Sequence, residues 1–357
     1  MRTLSRYMAR EVAVSTLLVL GALLVLFALL DLVRELGIVG YSNYRLGTVL
    51  VFVALNVPGH VYELLPLALL IGTIFTFAQL ALHSEYTVMR ASGASFARIG
   101  RGILGTGLLF AAATFLFGEF VAPLSERVAQ QMRFKALAGF VVQQFRSGLW
   151  VKDGRSFINV RQVLTDNTLV DVRIMGFDED YRLRSVRFAK QGIYQGPNLW
   201  RLDDVRETRI DGDRATVHRE PSMEWRSELN PDILSVLLVE PQKMSAPNLW
   251  SYVQHLRENR QSANRYEIAL WGKFIYPLAA VVMMILALPF AALQRRSGGI
   301  GGKILAGIML GLAFHLISRL FAHAGQLNNW PPFFAAAAPS LLFLGIAVAM
   351  IWWVERR

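Results

Sequence analysis

The sequence VAVSTLLVLGALLVLFALL, residues 12–30, contains no charged side chain. A helix of about twenty apolar residues is long enough to cross the hydrocarbon core of a membrane. The run is too long for the apolar part of a signal peptide, and it lacks a cleavage site made of small residues. We therefore expect it to stay in the protein as a membrane-spanning helix.

Five more stretches of the chain have a similar length and apolar character. The six predicted spans are residues 12–32, 64–82, 99–120, 268–293, 304–324 and 333–354. An apolar piece before the second span, residues 48–57, is either an interfacial helix or an extension of that span. Pro66 and Pro289 are positions where the helices could bend. With 54% hydrophobic and 18% charged residues, the chain has the composition of a membrane protein.

Strand-like sequence separates the third span from the fourth. Residues 156–163, 169–177 and 182–194 are rich in valine, isoleucine and aromatic residues, and residues 200–210 and 215–225 continue the series. Short strands at this spacing predict a sandwich or roll, and polar helical stretches at 125–138 and 247–259 flank it. The predicted fold is six transmembrane helices with an all-β domain between helices three and four. Its parts are residues 1–120, 121–265 and 266–357.

Lysine and arginine in the short loops predict the orientation of the spans. One side carries Arg2, Arg6, Arg10, Arg90, Arg98, Arg101, Arg295, Arg296, Lys303, Arg356 and Arg357, whereas the other has Arg34 and Arg45. Both termini are therefore expected in the cytoplasm and the β domain outside, which is the periplasm in a bacterium with two membranes. The basic residues of these loops account for the net charge of +11. Nucleic-acid binding is the poorer explanation, because the sequence has no block of consecutive basic residues. The chain has no cysteine, which excludes disulfides and thiolate metal sites.

Three cations lie near the outer ends of the predicted spans: Arg34 after span one, Lys273 early in span four and Arg319 late in span five. A charge inside the bilayer costs about 2.5–3.5 kcal/mol on insertion scales, so such residues face partners, cavities or the interface. The three could form a rim that binds an anionic headgroup. The alternative is that they extend towards ordinary lipid phosphates.

The loop after span two has the pattern of a short helix. Ser84 is a candidate cap, Glu85 is an acid in the first turn, and Gly93 is a stop signal. Tyr86, Val88 and Met89 add apolar surface, so this helix could dock into a groove of a soluble partner. The alternative is a connector held at the lipid surface.

The sequence shows little that could carry catalysis. The glycine-rich loop at residues 297–304 departs from a phosphate-binding loop, because Ser297 replaces glycine and no serine or threonine follows Lys303. His315, Ser318 and His323 lie on span five without a carboxylate nearby in sequence. We predict no catalytic residue, metal site or cofactor. A lipid-modifying enzyme that uses Ser318 with His315 or His323, and a membrane scaffold that transports nothing, are the alternative functions.

Residues 84–95 resemble the coupling helix of the LptF/LptG permeases (the YjgP/YjgQ family) of the lipopolysaccharide export ABC transporter. The resemblance covers essentially the whole chain and includes Ser5-Arg6-Tyr7, Leu64-Leu65-Pro66 and Glu119-Phe120-Val121-Ala122-Pro123. Two further segments look more like the sibling branch of the family than like the LptF branch. They are residues 148–154, and Tyr266 with Trp271-Gly272-Lys273.

The resemblance implies a permease of the bacterial inner membrane that extracts lipopolysaccharide and passes it to a periplasmic protein bridge. Its partners would be the homologous permease LptF, a dimer of the ATPase LptB, LptC and, through the bridge, LptA. The β domain would be a jelly roll. Glu85 would be the acid of the coupling helix, and spans one and five would form a lateral gate.

The resemblance also implies roles for individual side chains in the spans. Lys273 matches a basic residue of span four, and the residues expected to contact acyl chains are Phe27, Leu30, Leu316 and Leu320. The chain departs from the family pattern at Asp31, Gly37 and Ile38, where the family has lysine. Arg34 would take over their contact with the headgroup.

Overall fold

A computed structural model describes residues 2–40, 44–92, 96–137, 149–163, 168–196, 198–212, 214–229, 240–292 and 300–356. Several residues used above lie outside these ranges: Gly93, Arg295, Arg296, Ser297 and Arg357. The statements below concern the described residues.

Helices make up both ends of the chain. Before the sheet they are α1 (Arg2–Leu36), α2 (Leu46–Leu82), α3 (Glu85–Ala91), α4 (Phe96–Leu116), a π-helical turn (Phe117–Val121) and α5 (Ala122–Ala136). After the sheet come a short 3₁₀ turn (Pro241–Lys243), α6 (Ala246–Glu258), α7 (Asn264–Ile275), α8 (Leu278–Ala287), α9 (Pro289–Ala292), α10 (Ile300–Leu327) and α11 (Pro332–Glu355). Five helices are long and apolar enough to span a membrane, and the pair α7 and α8 makes a sixth when counted as one bent span.

The structure decides one open alternative of the prediction and shows one bend that was not predicted. The apolar piece at residues 48–57 is an extension of span two, because α2 runs unbroken through Pro58 and Pro66. Span four bends by 57° between α7 and α8, where Pro277 lies. Proline lacks the N–H needed for helical hydrogen bonding and clashes with the preceding turn, which explains a bend at this position.

Helix α2 lies at the centre of the bundle. A Cβ atom added to Gly72 would be 2.7 Å from the backbone of Thr16 on α1. On α10, a Cβ atom added to Gly307 would be 2.7 Å from Ile74, and Gly311 would meet Leu67 in the same way. Positions 67 and 74 point about 140–160° away from position 72 on a helix of 3.6 residues per turn. Spans one and five therefore pack on opposite sides of span two.

Replacing Gly72 with leucine should separate α1 from α2, because there is no room for even a Cβ atom against the backbone of Thr16. Overpacking of this kind costs about 1–3 kcal/mol, and more where backbone must move. We expect a lower melting temperature for the detergent-solubilised protein, followed by tryptophan fluorescence. The matched control is Gly345→Leu on α11, where nothing lies within 4 Å of the added Cβ. Equal losses in both variants would contradict the close approach.

Six strands form the domain between the helices, which confirms the predicted fold class. They are β1 (Leu149–Asp153), β2 (Ser156–Val163), β3 (Leu169–Phe177), β4 (Leu183–Gly196), β5 (Leu199–Asp211) and β6 (Arg214–Arg226). They make one antiparallel sheet in the order β1-β2-β3-β4-β5-β6, so each strand pairs with the next. Within residues 149–229, as far as the structure describes them, this connectivity is a meander.

One face of the sheet forms the domain core. Trp200, Leu202 and Val205 on β5 are buried there and pack with Leu249 and Val253 of α6. Trp200 also donates a hydrogen bond from Nε1 to the carbonyl oxygen of Leu229, at 2.6 Å. Helix α6 thus covers the apolar part of this face, which also contacts the start of α7 through Tyr266.

The helix ends next to the loops that were predicted to be positively charged lie together at the other end of the bundle. The start of α1 meets the start of α4, where a Cβ atom on Gly102 would touch Ser5. The end of span four is also there, because Gly100 faces Leu288. We call this the loop end of the bundle, and the end that carries the β-sheet the domain end.

Candidate functional site

A cavity of about 330 Å³ lies among α1, α2 and α5 at the domain end of the bundle. Both charged and polar side chains line it: Asp31, Arg34, Glu35, Phe52, Asn56, Gln130, Arg133, Glu240 and Lys243. We call it the rim cavity. Two of its basic residues, Arg133 and Lys243, come from segments beyond the third span.

A buried carboxylate holds one wall of the rim cavity. Glu35 accepts a hydrogen bond of 2.8 Å from the Tyr44 hydroxyl and pairs with Arg133 Nη2 at 3.2 Å. Burial, together with the hydrogen bond to Glu35, raises the pKa of Tyr44. The hydroxyl therefore remains a donor at neutral pH and helps to fix the carboxylate in place.

A second carboxylate joins α1 to α2. Asp31 Oδ2 lies 2.6 Å from His60 Nε2, and the His60 ring packs against Phe27 with centroids 5.5 Å apart. Asp31 therefore has a partner from the same chain. Phe27 is consequently half-buried beside His60, rather than fully open for an acyl chain.

The cavity also contains polar groups that have no partner among the described residues. Arg34 is exposed, and no ion pair of Arg34 occurs among the residues that the structure describes. Arg133 Nε and Asn56 Oδ1 are buried without a hydrogen-bond partner within that same part of the chain. Buried polar groups are normally paired, so such atoms suit a polar ligand or ordered water.

Two carboxylates, Glu119 in the π-helical turn and Glu126 on α5, hold the chain that returns from the β domain. Glu126 pairs with Lys243 at 2.7 Å, and Glu119 accepts the backbone N–H of Ala246 at 2.9 and 3.0 Å. Burial by itself would lower the pKa of Lys243, but the contact with Glu126 outweighs burial, and the pKa is raised. Lys243 is therefore charged at neutral pH at the edge of the rim cavity.

Lys273, predicted to bind the headgroup, is buried and is not among the residues that line the rim cavity. Its side chain is only 4% exposed, and Nζ donates a 3.1 Å hydrogen bond to the carbonyl oxygen of Gly118 in the π-helical turn. Nζ also lies 5.1 Å from the ring centroid of Tyr62. A π-helical turn shifts the hydrogen-bond pattern of a helix, so a carbonyl there needs another donor. Lys273 supplies that donor.

Arg319 does not join Arg34 either. It is exposed on α10, which packs on the opposite side of α2 from α1. The three predicted cations therefore do not form one rim within this chain. Three of the predicted acyl contacts are about half exposed or more, namely Leu30, Leu316 and Leu320.

At the loop end, α3 begins at Glu85 as expected and lies against α1. The Glu85 carboxylate lies near the Tyr7 hydroxyl of α1. Met89 is 7% exposed and belongs to the core of the bundle, whereas Val88 is 66% exposed. Met89 therefore anchors the helix, and Val88 is available for docking. Ser84 has a φ of 62°, so it forms a turn before α3 and lacks the extended backbone of a helix cap. The side chain of Tyr86 is outside the described part.

The residues that complete the rim cavity were not among those predicted from the sequence. Its α5 wall consists of Gln130 and Arg133, and Glu126 lies one turn before them. These three residues follow the spacing i, i+4 and i+7, which places them on one face of a helix. That pattern in a polar helix directly after a membrane span was a usable signal.

Comparison with known proteins gives consistent matches over nearly the whole chain. The family model described as "Lipopolysaccharide export system permease LptF/LptG" matches residues 6–353. The chain is 32% identical to the lipopolysaccharide export system permease protein LptG of Haemophilus influenzae, over 99% of this chain and 98% of that protein. It is 30% identical to LptG of Escherichia coli K12 over the same shares. Identity to LptF of Escherichia coli K12 is 23%, over 98% of this chain and 94% of that protein.

Proposed function

Since the chain belongs to the LptF/LptG family of lipopolysaccharide export permeases, we propose that its rim cavity receives the headgroup of lipopolysaccharide. The family makes the chain a transporter subunit and not an enzyme, so a lipid-modifying reaction at Ser318 is no longer needed to explain it. The protein acts in the bacterial inner membrane, with both termini in the cytoplasm and the β domain in the periplasm. It extracts the lipid from the outer leaflet and passes it towards the outer membrane.

The unpaired arginine in the rim cavity is the observation that carries this proposal. Glu35 and Asp31 are each occupied by partners from the chain, whereas Arg34 has none in the described residues. The guanidinium group forms strong, paired hydrogen bonds with phosphate oxygens. Arg34 thus takes over the role of the lysines that the family carries near this place. The exposed apolar face of α1, which includes Leu30, continues below it and suits acyl chains.

A second permease completes the lateral gate. Spans one and five cannot close on each other within this chain, because α2 lies between them. Their exposed leucines, among them Leu30 on α1 and Leu316 on α10, are free to face another molecule. We infer that LptF supplies the opposite spans, so that Arg34 and Arg319 each contribute to a different side of the shared chamber.

Energy for transport comes from a separate ATPase, the LptB dimer, which docks on α3. Glu85 is at the start of this helix, where a negative charge is favourable, and Val88 provides exposed apolar surface. Movement of α3 is passed to α1 through Tyr7 and to the bundle core through Met89. LptC and then LptA receive the lipid beyond the β domain.

Changing Arg34 to glutamine should weaken the capture of lipopolysaccharide about tenfold, the effect of losing one charge-assisted hydrogen bond. The chain is purified together with LptF and LptB, and a photoreactive residue at Leu30 reports crosslinking to lipopolysaccharide. Arg45→Gln is the matched control, because Arg45 is also exposed before α2 but does not line the cavity. ATP-dependent release of lipopolysaccharide from vesicles is measured with the same preparations.

Two results would contradict the proposal. One is the absence of a co-purifying ATPase whose activity responds to lipopolysaccharide, which would favour a scaffold that transports nothing. The other is an equal effect of Arg34→Gln and Arg45→Gln on crosslinking. That result would show that the rim cavity does not bind the lipid.

A further inference from the structure

A second cavity, of about 570 Å³, lies at the end of the β-sheet farthest from α6 and α7. Four arginines line it together with smaller residues and two acids: Arg184, Arg187, Arg209, Arg214, Ser185, Thr216, Ile210, Glu207 and Asp211. None of these residues has a part in the export steps described so far. We call this group the arginine cavity.

The strand register places the arginine cavity on the same face as the domain core. Along β5, Trp200, Leu202, Val205 and Glu207 are buried. Arg187 on β4 pairs in register with Glu207, and Thr216 on β6 pairs with Arg209. Because paired residues share a face of a sheet, one surface runs from an apolar part under α6 to a cationic part at the far end.

A buried carboxylate sets the direction of two of the arginines. Glu207 is 2% exposed and accepts hydrogen bonds from Arg187 Nε at 2.7 Å and from Arg209 Nε at 2.9 Å. Burial alone would raise the pKa of Glu207, but these two arginines outweigh it and hold the pKa below its usual value. Glu207 is therefore ionised at neutral pH and keeps both guanidinium groups in a fixed geometry.

The arginines retain unused hydrogen-bond donors towards the cavity. A guanidinium has five N–H donors, and Arg187 uses its Nε–H on Glu207. Arg184 pairs with Asp178 at 3.0 Å and, more loosely, with Asp211 at 3.5 Å. The four arginines of the lining exceed its two acids, so the cavity has a positive surplus. Several preorganised guanidinium groups around one space are suited to a phosphoryl group.

We propose that the arginine cavity binds a phosphoryl group of the lipopolysaccharide headgroup as the lipid leaves the membrane. This inference rests on the proposed function, because it needs lipopolysaccharide to reach the β domain. The headgroup would move from Arg34 at the rim cavity to the far end of the sheet, where Arg187, Arg209 and Arg214 bind it. The site gives the β domain a polar attachment point in addition to its apolar surface.

The test uses the complete transporter in vesicles, with a photoreactive residue in place of Thr216, which lies in the cavity and is exposed. Crosslinking at this position should depend on ATP and should be at least about tenfold weaker with chemically dephosphorylated lipopolysaccharide. Arg214→Gln should weaken it by a similar factor, because Arg214 lines the cavity without contacting Glu207 in the described structure.

A matched control and a second variant separate binding from folding. Arg219→Gln removes the same charge from the same strand, but Arg219 pairs with Arg206 on the opposite face of the sheet. Arg219→Gln should leave crosslinking unchanged. The double variant Arg187→Lys and Arg209→Lys keeps the charge around Glu207 but removes the paired donors, and crosslinking should also fall.

Each outcome decides between the possibilities. Normal crosslinking at Leu30 with none at Thr216, or equal crosslinking of dephosphorylated lipid at Thr216, overturns the inference but keeps the proposed function. Loss of crosslinking at both positions in the unmodified transporter overturns the proposed function. If inorganic phosphate binds with the same dependence on Arg214, seen by ³¹P line broadening, while lipopolysaccharide does not crosslink, the ligand is free phosphate and the assignment to the lipid is wrong.

Discussion

Replacing Glu85 with lysine is expected to abolish the release of lipopolysaccharide from vesicles that contain the complete transporter. Glu85 opens α3, and a cation at this point opposes the positive end of the helix. The change also removes the carboxylate that faces Tyr7. Since Met89 anchors the same short helix in the bundle core, we expect a displaced α3 to lose the proposed coupling between the ATPase and α1. Release is followed with labelled lipopolysaccharide, and ATP hydrolysis is measured in parallel.

Two further variants test whether the loss of lipopolysaccharide release is specific to the charge at position 85. Glu355→Lys makes the same change of charge on an exposed side chain at the end of α11, and it should leave release intact. Glu85→Gln keeps a hydrogen-bond acceptor for Tyr7 and should retain more activity than Glu85→Lys. Full release from the Glu85→Lys variant would show that α3 does not couple the ATPase to the permease.

Replacing Lys273 with methionine should impair assembly more than lipid capture, the reverse of what the sequence suggested. The substitution removes the donor from the Gly118 carbonyl and leaves a buried acceptor unpaired, which costs about 1–3 kcal/mol. The melting temperature of the purified complex should therefore fall by several degrees. Release should be lost because the same π-helical turn contains Glu119, which accepts the backbone N–H at the start of α6.

The matched control for Lys273 is Arg265→Met, because Arg265 lies on the same helix but is exposed. This control should melt like the unmodified protein. Crosslinking of lipopolysaccharide at Leu30 should persist in the Lys273→Met variant wherever the complex survives purification. If the Lys273→Met variant is as stable as the unmodified protein but loses crosslinking, Lys273 binds the headgroup, as the sequence predicted.

The position of Lys273 also explains how the membrane part and the β domain are connected. Tyr62 on α2 lies beneath Lys273 and packs against Tyr276 at the bend of span four, with centroids 5.0 Å apart. Tyr276 in turn donates a 2.6 Å hydrogen bond to the carbonyl oxygen of Glu63, close to Pro66. Irregular helix positions in a membrane need extra hydrogen-bond donors for their backbone groups, and these side chains provide them. Spans two, three and four therefore meet at one polar junction below the sheet.

Local sequence patterns were sufficient for the elements of the fold. Apolar runs of membrane length predicted the spans, and alternation with turn residues predicted the strands that were later found at residues 156–163 and 169–177. Both patterns depend on neighbours along the chain, so they can be read without knowing the fold. The same is true of Arg34 at the end of span one and of Glu85 at the start of α3.

Roles that depend on distant partners could not be predicted in this way. The bend of span four occurs at Pro277, whereas the positions predicted from the sequence were Pro66 in span two and Pro289 later in span four. Lys273 was predicted to be a rim cation because it lies near the outer end of span four. Its partner in the structure is the carbonyl oxygen of Gly118. In the sequence, Asp31 stands where the family resemblance implies a lysine that contacts the headgroup. In the structure it pairs with His60.

Six apolar segments of membrane-spanning length, the strand-rich domain that interrupts them and the charges at the ends of the spans can all be read from the sequence. The physical reason is that the length and period of apolar side chains act locally on the helix or strand that contains them. Which of the described charges have partners depends on contacts between distant segments, so it required the tertiary structure. Burial and partners from other segments occupy Asp31, Glu35 and Lys273, and they leave Arg34 exposed in the rim cavity.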